Sequence, residues 1–136
     1  MSAFTPINPP ELGEPRGFTH GLLAPAGWRV LFVAGQTAAD AGGQIADRGF
    51  VAQFVASLDK ALTVVRAAGG GPEHIGRMTV YVTDLDAYLA SRSVLGQKWH
   101  ERMGDHYPAM ALVGVTRLVD AAATVEIETT AMIPVL

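Results

Sequence analysis

The most restrictive feature of the sequence is an acidic pattern within a strand that must also pack against a core. A mainly apolar run covers residues 108–115, and Val125-Glu126-Ile127-Glu128 follows shortly after it. Because successive side chains of an extended strand point to opposite faces, Val125 and Ile127 face one way, whereas Glu126 and Glu128 face the other. The acidic face must therefore meet solvent, a partner or a pocket.

Length and composition predict one domain over residues 1–136, since 136 residues with 49% hydrophobic content suffice for one packed core. The net charge of −3, without a block of basic residues, argues against nucleic acid as a partner. The chain has no cysteine, which excludes disulfides and thiol catalysis. We also expect no membrane partner and a cytoplasmic location, because neither a secretory leader nor a long apolar stretch is visible.

Hydrophobic periodicity predicts the order β-β-α-β-α-β-β. Apolar runs separated by a turn at residues 24–27 indicate a hairpin, and apolar residues at helical spacing indicate two helices. The predicted strands are 18–23, 30–33, 78–82, 110–116 and 124–133, and the predicted helices begin near residues 51 and 85. Two helices packed on one face of a mixed sheet make an α+β fold. Since the pattern offers nothing to cover the other face, identical subunits in a closed ring would bury it most simply.

The second predicted helix, from Leu85 to about Gly104, carries a charge within its apolar stripe. At 100° per residue, Arg92 and Gly96 lie near the middle of the stripe that includes Trp99. Arg92 either supplies a guanidinium to an anionic ligand or serves structure, pairing with Glu126 or extending past the edge of the stripe.

Several segments, in this order and spacing, resemble the RidA/YjgF family of enamine/imine deaminases. They are Phe32-Val-Ala-Gly-Gln, the segment 77–85, the Pro-Ala segment at 108 and the Glu126 segment. The resemblance covers nearly the whole chain. It implies a chorismate-mutase-like fold, a homotrimer and small-molecule clefts between neighbouring subunits.

The chain departs from the family pattern where deaminating members bind the substrate carboxylate. The arginine that follows Pro-Ala in those members is Met110 here, and a thioether cannot hold a carboxylate. Phe18 stands where tyrosine is common, and Ala34 where serine is common. These changes predict weak or absent activity on 2-iminopropanoate and a less polar pocket. Taken singly, Phe18 and Met110 are also typical core residues.

Glu126 matches the family's catalytic glutamate, which implies that it positions a water for attack on a C=N carbon. A strand glutamate that faces solvent or pairs with an arginine at a subunit interface is the alternative. Glu128 is assigned a structural role. His20, two residues after Phe18 in the same predicted strand, would border the cleft, whereas the histidine spacings do not indicate a metal site.

These expectations rank three functions. The first is a RidA-like hydrolase or deaminase for a small reactive imine or enamine, with Glu126 as the catalytic residue and with no metal or organic cofactor. The second is a non-catalytic trimer that binds a small molecule or protects other proteins under stress. The third is an endoribonuclease, for which an acidic chain lacks the phosphate contacts that dominate nucleic-acid affinity.

Overall fold

A computed structural model describes residues 3–135 of the chain. Two short 3-10 helices, Pro10–Leu12 and Pro72–His74, accompany the regular elements. In chain order these are β1 (Thr5–Ile7), β2 (Gly21–Leu23), β3 (Arg29–Gln36), α1 (Phe50–Ala67), β4 (Ile75–Val82), α2 (Leu85–Ala90), α3 (Arg92–Met103), β5 (Ala109–Gly114) and β6 (Val125–Ile133).

Helix α1 forms the centre of the core. Its residues Leu58, Leu62 and Val65 are fully buried, as the periodicity predicted. Burial of such a side chain contributes about 1.5–3 kcal/mol. The helix ends where Gly69 adopts a φ of 92°. The Gly70 N–H donates to the Val65 carbonyl at 3.0 Å, and this bond satisfies a carbonyl that the helix end leaves open.

The main sheet has four strands in the order β3-β6-β4-β5. β6 is antiparallel to both β3 and β4, whereas β4 and β5 are parallel. In this register Met78 of β4 lies beside Thr129 of β6 and beside Met110 of β5. Because adjacent residues in a sheet share a face, the buried side chain of Met78 marks the face to which Met110 belongs.

The predicted hairpin between the first two apolar runs is wrong. β2 pairs with β1 in a separate two-stranded sheet, where Thr5 lies opposite Leu23. β3 instead pairs with β6, where Arg29 lies opposite Ile133. Pairing with β6 places the buried side chain of Val33 against α1, which packs on both strands.

The second predicted helix is divided in two at Ser91, whose φ of −102° and ψ of 3° interrupt the helical path. α2 begins as expected at Asp84, whose carboxylate accepts the Ala87 N–H at 3.0 Å. The apolar stripe differs in burial on the two sides of this break. Leu89 is 46% exposed, whereas Leu95 is 4% exposed.

Two sets of side-chain hydrogen bonds hold these elements in place. The Arg102 guanidinium of α3 donates to Asp59 of α1 from two nitrogens, at 2.6 and 3.3 Å. In α1, the fully buried Gln53 anchors the segment before β6. Its amide donates to the Ala122 carbonyl at 3.0 Å and accepts the Thr124 N–H at 2.8 Å. The helices are thus fixed to one another and to the start of β6.

α1 and α3 cover only one face of the sheet, which confirms the predicted α+β arrangement. The opposite face, called the open face below, carries Phe32 at 80% exposure together with Val30 and Val113. Exposed apolar side chains on neighbouring strands are typical of a surface that another molecule covers. No helix within residues 3–135 is long and apolar enough to cross a membrane.

Candidate functional site

The alternation predicted for β6 places its two glutamates on the open face. Val125 and Ile127 are fully buried on the helix side, whereas Glu126 is half-buried and Glu128 is exposed on the other side. Glu126 lies directly opposite Tyr81 in the register with β4. The candidate catalytic carboxylate therefore belongs to the open face and not to the helical core.

Glu126 lies over a glycine of the neighbouring strand. The β3–β6 register shifts between Val33 and Gln36, and Gly35 occupies this irregular stretch. A Cβ built on Gly35 would lie 2.5 Å from Oε2 of Glu126 and 2.8 Å from its carboxyl carbon. Only a glycine at position 35 therefore allows the Glu126 carboxylate to occupy its observed position.

Tyr81 and Glu128 form a hydrogen-bonded pair beside Glu126. The phenol donates to Oε1 of Glu128 at 2.6 Å. This bond raises the pKa of the Tyr81 hydroxyl above its ordinary value, and the negative charges of Glu128 and Glu126 act in the same direction. The bond occupies one oxygen of Glu128 and agrees with the structural role assigned to that residue.

One concavity near the predicted site residues is the helix-side groove, a cavity of about 320 Å³ between α3 and β5. Its walls are mostly aromatic and aliphatic. They comprise Gly17, Phe54, Tyr88, Arg92, Leu95, Gly96, Trp99, His100, Tyr107, Met110 and Leu112. An apolar cavity with a few polar groups is the usual form of a small-molecule site. Another concavity, of about 250 Å³, lies on the open face beside Phe32, Arg77 and Glu128.

The helix-side groove brings together Met110 and Arg92, two of the residues singled out in the sequence. Met110 is half-buried and packs against the core, where it offers an apolar surface to the groove. Arg92 begins α3, is exposed and forms no ion pair with any carboxylate in residues 3–135. The structural alternative in which Arg92 pairs with Glu126 of its own chain is therefore wrong.

Within one chain, the predicted site residues divide between the two faces of the sheet. Glu126 and the exposed Ala34 belong to the open face, whereas Met110 and Arg92 line the groove on the helix side. A β-sheet separates the candidate catalytic carboxylate from the groove. A cleft that contained both would need the Glu126 of a second copy.

Phe18 and His20 lie outside any strand, because β2 begins only at Gly21. Their expected placement in one strand is wrong, yet their rings do meet, edge to face, with centroids 5.0 Å apart. Gly17, which precedes Phe18, lines the groove. The ring nitrogen Nε2 of His20 lies 3.3 Å from the Gly13 carbonyl.

Sequence reasoning missed two residues that shape these surroundings. Gly35 was read only as part of a motif, although a glycine next to the position of Ala34 is the kind of signal that marks close approach of another group. Tyr81 was read as one member of an alternating strand, and only the register with β6 shows that it faces Glu126. No group of three or more residues able to hold a metal ion occurs in the described part of the chain.

The sequence model of one protein family, described as endoribonuclease L-PSP, matches residues 24–133. Among solved structures, the Rid-family protein YyfB of Yersinia pestis is 30% identical, with a TM-score of 0.83 over 96% of this chain and 99% of that one. TdcF of E. coli, solved with bound serine, is 30% identical, with a TM-score of 0.67 over 90% and 92% of the two chains. The YjgF product of E. coli is 27% identical, with a TM-score of 0.66 over 97% and 98%. Among curated protein sequences, none matches this chain.

Proposed function

The chain belongs to the RidA/YjgF family and has its chorismate-mutase-like fold, and from this premise we propose that it is a hydrolase that deaminates a small reactive imine or enamine. Glu126 is the catalytic residue. Its carboxylate takes a proton from a water as the water oxygen forms a bond with the C=N carbon. With the imine protonated at nitrogen, this addition gives a neutral carbinolamine. Protonated Glu126 then gives its proton to the nitrogen, and as the C–N bond breaks the hydroxyl proton returns to the carboxylate, which yields a carbonyl product and ammonia.

The observation that supports this proposal is the environment of the Glu126 carboxylate. The carboxylate lies over Gly35, half-buried, and makes no ion pair with an arginine or lysine of the described chain. The neighbouring acid Glu128 is already hydrogen-bonded to Tyr81. Of the two glutamates, Glu126 is therefore the one available to hold a water.

We further propose that the working site lies between copies of the chain in a homotrimer. The open face exposes Phe32, Val30 and Val113 beside Glu126. A second copy that covered this face would bury these apolar side chains and would bring one subunit's Glu126 toward another subunit's helix-side groove. Closed rings are the common way for identical subunits to satisfy such a surface.

Met110 limits the substrates of this site. Without a guanidinium at that position, a short 2-imino acid loses the bidentate contact that would fix its carboxylate. We therefore expect 2-iminopropanoate to be hydrolysed weakly or not at all. The substrate must draw its binding energy from the apolar walls of the groove.

The decisive experiment compares wild type with Glu126→Gln. Imines are generated in solution by an amino-acid oxidase, and their removal is measured by competition with semicarbazide trapping. Glu126→Gln should abolish turnover while light scattering shows an unchanged assembly. Glu14→Gln is the matched control, since Glu14 is exposed and lines neither the helix-side groove nor the concavity on the open face. Full activity of the Glu126→Gln variant would refute the assignment.

A non-catalytic small-molecule binder or stress-protection protein is the second candidate. It is favoured by one observation, namely that the residues lining the helix-side groove include no carboxylate. In that case ligands would bind equally well to wild type and to Glu126→Gln, and neither protein would consume any imine. The net charge of −3 gives no support to RNA as a substrate, although the matching family is described as endoribonuclease L-PSP.

A further inference from the structure

Neither the backbone conformation nor the packing around Gly96 requires a glycine at this position. It lies in the middle of α3, and no heavy atom lies within 4 Å of a Cβ built on it. Each other glycine with such empty surroundings has a positive φ, which explains its identity; these are Gly13, Gly17, Gly27, Gly43, Gly69 and Gly104. Gly96 has no such φ, and glycine destabilises a helix interior relative to alanine. The missing side chain therefore leaves an open space at this point on the surface of α3.

Gly96 lies one helical turn beyond Arg92 and lines two concavities, the helix-side groove and an open one that is bounded by residues of α3. Residues four apart on a helix lie on the same face, so Arg92 and the bare backbone at Gly96 are neighbours on that face. Both line the groove, and Arg92 has no carboxylate partner in residues 3–135. A cation without a partner beside a vacant surface fits a ligand that carries its own negative charge.

The rest of the groove is suited to an apolar body. Leu95 and Leu112 contribute aliphatic surface, Met110 a polarizable thioether and Trp99 an indole ring. The indole N–H of Trp99 is buried and has no hydrogen-bond partner among the described residues. A volume of about 320 Å³ equals that of roughly ten waters of the liquid, which is far more than a three-carbon acid would fill.

We propose that the helix-side groove binds an amphiphilic carboxylate: the acid group pairs with Arg92, and an aromatic or branched apolar body lies over Gly96 against Trp99 and Met110. Resting on the proposed function, this names the substrate class as the imine of a bulky apolar 2-oxo acid. In this proposal the ligand's carboxylate is bound by Arg92 in the first turn of α3 and not by residue 110 in strand β5.

Binding of a stable probe tests the proposal without any turnover. Phenylpyruvate and pyruvate are titrated into a Trp28→Phe background, in which the remaining indole, that of Trp99, reports from the groove through its fluorescence. Phenylpyruvate should bind at least tenfold more tightly than pyruvate. Arg92→Met should weaken phenylpyruvate binding by about tenfold or more, since a charge-assisted pair is lost. Arg66→Met, an exposed arginine on α1, is the matched control.

Gly96 supplies the second arm of the test. Gly96→Ala should raise the melting temperature of the free protein by a few degrees and lower the affinity for phenylpyruvate, and Gly96→Leu should abolish binding. If both variants bind the probe like wild type, the proposal is wrong. It is also wrong if the Gly96 variants change the mass of the assembly, because a second copy would then occupy the space.

The two proposals fail in different ways. If phenylpyruvate binds with the expected dependence on Arg92 and Gly96 while no imine is consumed, the ligand class stands and the deaminase assignment falls. If imines are consumed with dependence on Glu126 while phenylpyruvate binds no better than pyruvate, the enzyme stands and this ligand class is refuted.

Discussion

Replacing Gly35 with alanine moves the carboxylate of Glu126 without removing it. A Cβ at this position would lie 2.5 Å from Oε2, whereas ordinary contacts begin at 3.4 Å, so the carboxylate must shift by about 0.9 Å. Because φ of Gly35 is not positive, the backbone itself accepts alanine. The carboxylate is the end of a flexible side chain, and the fold should survive the change.

The expected cost is in catalysis. A displacement of about 1 Å from a productive geometry lowers a rate about a hundredfold, which corresponds to about 2.7 kcal/mol in the activation free energy. We therefore expect kcat for imine hydrolysis in Gly35→Ala to fall about a hundredfold, with the thermal midpoint of unfolding little changed. The assay is the semicarbazide competition used for Glu126→Gln.

The matched control is Gly114→Ala in β5, where an added Cβ would meet its nearest side-chain atom, Cβ of Leu85, at an ordinary 3.7 Å. This variant should retain wild-type kcat. If Gly35→Ala is as active as the wild type and equally well folded, then the position of Glu126 does not set the rate and the reasoning fails.

Two further predictions concern stability. Gln53→Leu leaves buried backbone groups without their hydrogen-bond partners and should lower the free energy of unfolding by about 3 kcal/mol, as measured by urea denaturation; a loss below about 1 kcal/mol would contradict this account. Because the Glu128 hydrogen bond raises the pKa of Tyr81 in the folded state, the stabilisation is fully present below the ordinary tyrosine pKa of about 10 and is lost as the pH rises through the raised value. Ultraviolet titration should show one late-titrating phenol that disappears in Tyr81→Phe and shifts downward in Glu128→Gln, and a titration unaffected by either change would refute the assignment.

Local patterns predicted the elements that pack on the core. α1 has an apolar stripe, glycines that stop it and a buried face, and each of these local features agrees with the structure. The alternation in β6 likewise identified Val125 and Ile127 as core residues and Glu126 as a residue of the opposite face. Periodicity is a local property, so one sequence is enough to reveal it.

Pairing between distant strands and the path of the chain at Ser91 could not be read in the same way. β1 has three residues including Pro6 and shows no alternation, so nothing marked it as the partner of β2. The break at Ser91 occurs without glycine or proline, and only the packing of the two halves reveals it. The separation of Glu126 from Met110 depends on the long-range register of β6 with β4 and β5.

The order of strands in the main sheet has a consequence for how the protein is made. β6 lies between β3 and β4, yet it follows both of them along the chain. During synthesis on the ribosome, β3 has no partner in this sheet until β6 has emerged, and β4 can pair only with β5, along its other edge. Unpaired strand edges of this kind promote association with other nascent chains. Chaperone demand should therefore be concentrated in the interval between the translation of β4 and that of β6.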